Sequence, residues 1–167
     1  MSGIEPVQLL KHVIQPTLSY LTEVTGLPMD SKSAEMILMG TQAHESHGHH
    51  WLTQHPSGPA RGGYQMEVQT HSWLWSDYLV RRKDIANAIL AMVPENGNTP
   101  DRMTYDLAYA TAMARVRYWI VPAPLPAADD IVGMARYFKR YWNTEHGAAT
   151  EEAFIHDFRK YAGSVLP

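Results

Sequence analysis

Apolar residues recur along this chain at helical rather than alternating spacing. Leu9, Leu10, Val13 and Ile14 form one stripe, with Pro6 suited to a first helical turn, and Leu18, Leu21 and Val24 resume it beyond Pro16. Pro16 has no backbone N–H, which predicts a kink or split, and Gly26-Leu27-Pro28 predicts the end of the element. Capping residues at 30–33 predict a second helix that turns Ala34, Ile37, Leu38 and Thr41 inward and ends at Ala43-His44-Glu45-Ser46. Glu45 thereby falls where a buried helix meets a loop.

Residues 48–63 are rich in Gly, Pro, His and Ser and lack periodicity, which predicts an ordered loop or a short hairpin. Helical spacing returns through Trp73, Trp75, Tyr78, Ile85, Ala88, Ile89 and Met92. Thr99-Pro100 predicts the N-cap and first position of a helix through Leu107, Ala110, Ala114 and Trp119. A helix over 127–141 follows the prolines at 122–126, and Thr150 and Gly163 bracket a last one. Trp73, Tyr78 and Trp119 fall in helical stretches and are assigned to packing, as are Met36, Met39, Met92, Met103 and Met113. The expected fold class is mainly α: a single domain over 1–167 with a small loop or β-hairpin region.

Composition narrows the chemistry. A net charge of −3 disfavours a nucleic-acid binder, whose affinity comes largely from cations that neutralise phosphates. The absence of cysteine removes disulfide scaffolds, thiol nucleophiles and Cys-based metal modules. No stretch reaches the length of a membrane span, and the N-terminus lacks a basic region followed by an apolar one. Residues 58–63 lack the Lys-Ser/Thr ending of a phosphate-binding loop, and no cofactor is expected. His44, His47, His49, His50, His55 and His71 cluster in sequence, but zincin spacing fails because position 48 is Gly, so no metal site is assigned; a His-loop metallohydrolase remains the weakest alternative. Arg81-Arg82-Lys83 and Arg136, Lys139, Arg140 read as solvated helix faces.

Three blocks carry the chemistry. They are residues 34–46 ending in Glu45-Ser46, residues 60–66 containing Gly62-Gly63-Tyr64-Gln65-Met66, and Tyr141-Trp142-Asn143-Thr144-Glu145-His146-Gly147. In order and separation they resemble the lytic transglycosylase and goose-type lysozyme family, whose members carry an apolar helix ending in Glu-Ser, a Gly-Leu-Met-Gln-like turn and a late Tyr-Asn-x-Gly-x-Gly turn. Here Gly63-Tyr64 stands for Leu-Met, Trp142 stands where the family has Tyr, Tyr141 precedes it by one residue, and Glu145 occupies a Gly position.

The resemblance implies a lysozyme-like domain that cleaves the β-1,4 bond between N-acetylmuramic acid and N-acetylglucosamine in peptidoglycan, with Glu45 as the catalytic general acid and base. It further implies that Ser46 hydrogen-bonds near Glu45, that Gly62, Gly63, Tyr64, Gln65 and Met66 line the sugar sites, and that Tyr141, Trp142 and Asn143 lie across the cleft. Trp51, Tyr64 and Trp142 flank the blocks and are candidate stacking faces for sugar rings. A second carboxylate, from Glu145, Glu67 or Asp77, would favour hydrolysis over intramolecular transfer to a 1,6-anhydro product. The expected partner is a peptidoglycan strand met by a monomer made in the cytoplasm without a signal peptide and acting on the cell wall, as a phage lysin or a virion or secretion component does. The competing expectation is a non-catalytic glycan-binding or structural component.

Overall fold

The computed structural model describes residues 3–144 and 147–167. It is mainly helical, with one two-stranded antiparallel sheet among the described residues. The N-terminal stripe does not split at Pro16. Helix α1 (Pro6–Leu9) runs through a π turn (Leu10–Ile14) into α2 (Gln15–Thr25). The Gln15 N–H reaches back to the Leu10 carbonyl, and this wider turn absorbs the donor that proline lacks without breaking the apolar face. Gly26 then takes a left-handed conformation at the C-cap.

Helix α3 (Lys32–Ser46) starts at Ser31, whose hydroxyl accepts the Ala34 N–H at 3.0 Å. Its burial goes beyond the predicted stripe, since every residue from Ala34 to Ala43 is buried, including Met36, Met39 and Gln42. A helix enclosed on all sides is the core element of the fold. Strands β1 (Ala60–Arg61) and β2 (Met66–Glu67) pair antiparallel with Arg61 opposite Met66, and a bridge from Thr53 to Arg61 completes the expected hairpin region.

Helix α4 (Val68–Trp73) passes into a π turn (Leu74–Tyr78), and this displaces a predicted packing residue: Trp73 is 44% exposed while Leu74 takes the fully buried position. The wider turn rotates the inward face by one residue. After α5 (Lys83–Leu90), the prediction at Thr99-Pro100 also needs correcting. Pro100–Thr104 is a separate 3-10 turn, and α6 (Leu107–Trp119) is capped by Asp106, whose carboxylate accepts the Tyr109 N–H at 3.0 Å.

Helix α7 (Ile131–Phe138) begins at Asp130 rather than near 127 and continues into a π turn (Lys139–Asn143). Helix α8 (Glu151–Ala162) has the predicted Thr150 cap and ends at Gly163. It lies closely along α3, because Gly40 leaves room for the Phe154 and Phe158 rings that a side chain there would strike. No described helix is long and apolar enough to cross a membrane.

Candidate active site

The last turn of α3 is held from two directions, and this determines where Glu45 points. His44 Nδ1 meets Asp157 Oδ2 of α8 at 2.8 Å, and its ring packs edge-on to Phe138 at 5.2 Å. Ser46 Oγ donates to the Gln42 carbonyl at 3.0 Å and accepts the His49 N–H at 2.9 Å. The chain then reverses through His47 and Gly48, both left-handed. With His44 and Ser46 occupied, Glu45 projects between them into an open cleft of about 790 Å³.

Three separated segments enclose that cleft: Gln65, Met66 and Glu67 from the hairpin side, Trp142, Asn143 and Thr144 from the π turn after α7, and Trp51, Gln54 and His55 from the loop. Glu45 is partly buried, and desolvation raises its pKa from 4.5 to about 8. A hydrogen bond from the Trp142 side chain opposes that rise by favouring the carboxylate. At neutral pH this acid holds its proton, beside a cleft within the size range of ligand-binding pockets. That combination can protonate a leaving-group oxygen.

The three sequence blocks meet here unevenly. Gln65, Met66, Trp142 and Asn143 line the cleft with Glu45, whereas Gly62, Gly63, Tyr64 and Tyr141 stand behind its walls. Gly62 has φ 73°, and a side chain on it would strike the Met103 carbonyl. Gly63 lies against the His49 ring, and the buried Tyr64 hydroxyl pairs with Thr111 at 3.1 Å. These three therefore shape the turn that presents Gln65, whose side-chain amide donates to the Gly62 carbonyl at 2.8 Å. Tyr64, expected as a stacking face, is core.

In the third block, the π turn directs Trp142 inward, where it stacks on Tyr118 at 5.0 Å and reaches Glu45, while Tyr141 packs on Tyr137 at 4.7 Å. Of the two adjacent aromatics it is thus Trp142, not Tyr141, that reaches the acid. Asn143 is fixed by Lys139 Nζ at 2.9 Å; the same ammonium donates to the Gly147 carbonyl at 2.7 Å, so Lys139 closes a loop instead of lying on a solvated face.

The Ser46 hydroxyl makes its hydrogen bonds beside Glu45, at the end of the helix, to the Gln42 carbonyl and the His49 N–H. Of the three candidate second carboxylates, Glu67 lines the cleft. Asp77 is exposed on the π turn after α4, pairs with Ser76 and does not line the cleft. Glu145 lies outside the described residues.

The histidines cluster in sequence but not in space. His47 stacks on Tyr161 at 4.6 Å and His55 on Trp51 at 4.1 Å, while His71 bonds the Tyr109 hydroxyl at 2.7 Å. His49 is buried, with Nδ1 at 3.3 Å from Gln42 Oε1 and Nε2 without a hydrogen-bond partner among the described residues. Burial lowers His49 and His71 from 6.5 to about 4. Among the described residues no group of three or more His, Asp or Glu side chains could hold a metal ion.

Arg117 also lines the cleft, and sequence reasoning did not identify it. It sits near the C-terminal end of α6, far along the chain from all three blocks, and no local motif marks it. No protein-family model matches the chain, and comparisons with curated proteins and with solved structures gave no significant match.

Proposed function

We propose that this protein cleaves the β-1,4-linked glycan strands of peptidoglycan, with Glu45 as a general acid that protonates the leaving oxygen and then acts as base in the second half of the reaction. The observation that carries the reading is the desolvated Glu45 carboxyl, raised to about 8, facing a cleft whose walls include Gln65, Met66, Trp142 and Asn143. At pH 7 a group of that pKa is about tenfold more protonated than ionised. A glycosidic oxygen is a poor leaving group until protonated, so a neutral carboxylic acid at this pH is what the chemistry requires.

In this reading Trp142 has two tasks. Its indole donor aims the carboxyl and stabilises the anion that forms when the proton leaves. The parallel Trp51–His55 pair supplies a flat face to the cleft. Glu67 is the described candidate for activating water; without such a base the sugar's own 6-hydroxyl attacks and an anhydro end results. Purified peptidoglycan treated with the wild type and with Glu45→Gln tests the activity. Mass spectrometry of the fragments then separates reducing from 1,6-anhydro ends. Saturable oligosaccharide binding without any cleavage by the wild type would instead indicate a glycan-binding module.

A further inference from the structure

We propose that Arg117 anchors a carboxylate of the substrate, so that the cleft selects a glycan bearing acidic substituents over a neutral one. The proposal rests on the glycan-cleaving reading and extends it to substrate choice.

Arg117 is the one Lys or Arg among the described residues lining the cleft. It is half-buried, and no described carboxylate lies within 4.0 Å of it. Its Nη2 is divided between the Tyr141 and Trp142 carbonyls, each at 3.4 Å, near the outer limit of a hydrogen bond. Among the described residues Nε and Nη1 have no acceptor. A guanidinium carries five donors in a planar fork, and one that has lost part of its water without a described carboxylate in contact is suited to a substrate carboxylate, which it grips through two parallel bonds.

The guanidinium lies over the Trp142 ring, 5.6 Å from its centroid. Trp142 in turn touches Glu45, so an anion held by Arg117 sits one side chain away from the reacting bond. Glu67 faces the same guanidinium at longer range. A cleft already containing that acid accepts a single negative charge more readily than the double charge of a phosphate, which favours a carboxylate. On a muramyl polymer this group is either the lactyl carboxylate of a peptide-free strand or a carboxylate of the stem peptide.

The test compares three soluble oligomers of matched length: neutral chitooligosaccharide, peptide-free muramyl glycan and peptide-bearing muramyl glycan. Their Kd values are measured by calorimetry on Glu45→Gln and on Glu45→Gln with Arg117→Gln, and kcat/KM is measured for wild type, Arg117→Gln and Arg117→Lys. The expected result is that Arg117→Gln reduces the acidic-over-neutral binding ratio at least tenfold, mainly through KM in turnover, with Arg117→Lys intermediate because it keeps the charge and loses the fork. Whichever acidic oligomer loses its advantage identifies the carboxylate. An unchanged ratio overturns the proposal, including the case in which all three oligomers weaken together, because that pattern means Arg117 only props the Tyr141 and Trp142 carbonyls. Absence of wild-type cleavage with the binding ratio still dependent on Arg117 overturns the catalytic reading and leaves the anchor standing.

Discussion

The Trp142 indole hydrogen-bonds the carboxyl of Glu45, joining the π turn after α7 to the end of α3 across nearly a hundred residues of chain. Desolvation pushes the acid up and this bond pulls it down, and the balance leaves it near 8. If Glu45 is the proton donor, Glu45→Gln should lower peptidoglycan cleavage by at least about 10³-fold while preserving the fold and oligosaccharide binding. Wild-type rates should fall about tenfold per pH unit above 8, as the donor ionises. Turbidity clearing across a pH series checks both; retained activity in the variant would remove Glu45 from the mechanism.

Trp142→Phe keeps an aromatic face on Tyr118 and deletes the donor. The anion loses its support, so the pKa of Glu45 should rise further and the alkaline limb of the pH–rate profile should move upward. The rate below that limb should drop roughly 10-fold, because a charge-assisted bond of about 1.5 kcal/mol is no longer available as the carboxylate forms. A profile whose limb does not move would show that the indole acts only in packing.

The same carboxyl makes stability depend on pH. Its folded pKa, about 8, exceeds its ordinary 4.5, so between those values the folded state holds a proton that the unfolded chain has released. Stability from this group is therefore fully present below about 4.5, declines as pH rises, and is lost above about 8. Urea unfolding at pH 5 and pH 8.5 should show Glu45→Gln gaining on the wild type by on the order of 2 kcal/mol at the higher pH, less than full desolvation would give because the group is partly exposed.

His49 and His71 act in the opposite sense. Both stand near 4 in the fold against 6.5 ordinarily, so the unfolded chain protonates first and stability is lost as pH falls from 6.5 toward 4. Imidazole resonances followed by NMR should show these two rings neutral to about pH 4. Either ring titrating near 6.5 in the folded protein would contradict the packing described for it.

Gly63 has no room for a side chain, since a Cβ would overlap the buried His49 imidazole. Gly63→Ala should cost about 1–3 kcal/mol of stability by overpacking. Gly163→Ala meets open space at φ −60° and should be neutral or slightly stabilising, which makes it the matched control in the same denaturant titration.

The sequence alone was enough for elements whose causes are local. Ser31 and Thr150 cap helices because their hydroxyls reach the N–H three residues on, and the apolar spacing of Ala34 to Thr41 is sufficient to mark α3 as buried. Glu45 was readable as an acid at the rim of an apolar helix, and Gln65 and Asn143 as its companions in the cleft. Features that depend on which donor a distant turn delivers were out of reach. Nothing local shows that π turns will expose Trp73 and bring Trp142, rather than Tyr141, to the acid, because their wider step is selected by packing against α6 and the rest of the core. Ser46 was legible as a neighbour of Glu45 but not as a cap for His49, and Arg117 became a cleft residue only once α6 was laid beside the π turn. Periodicity and caps act within a turn or two of chain, whereas the burial that desolvates Glu45 and the cleft it faces are built from segments distant in sequence, and only the folded chain brings these together.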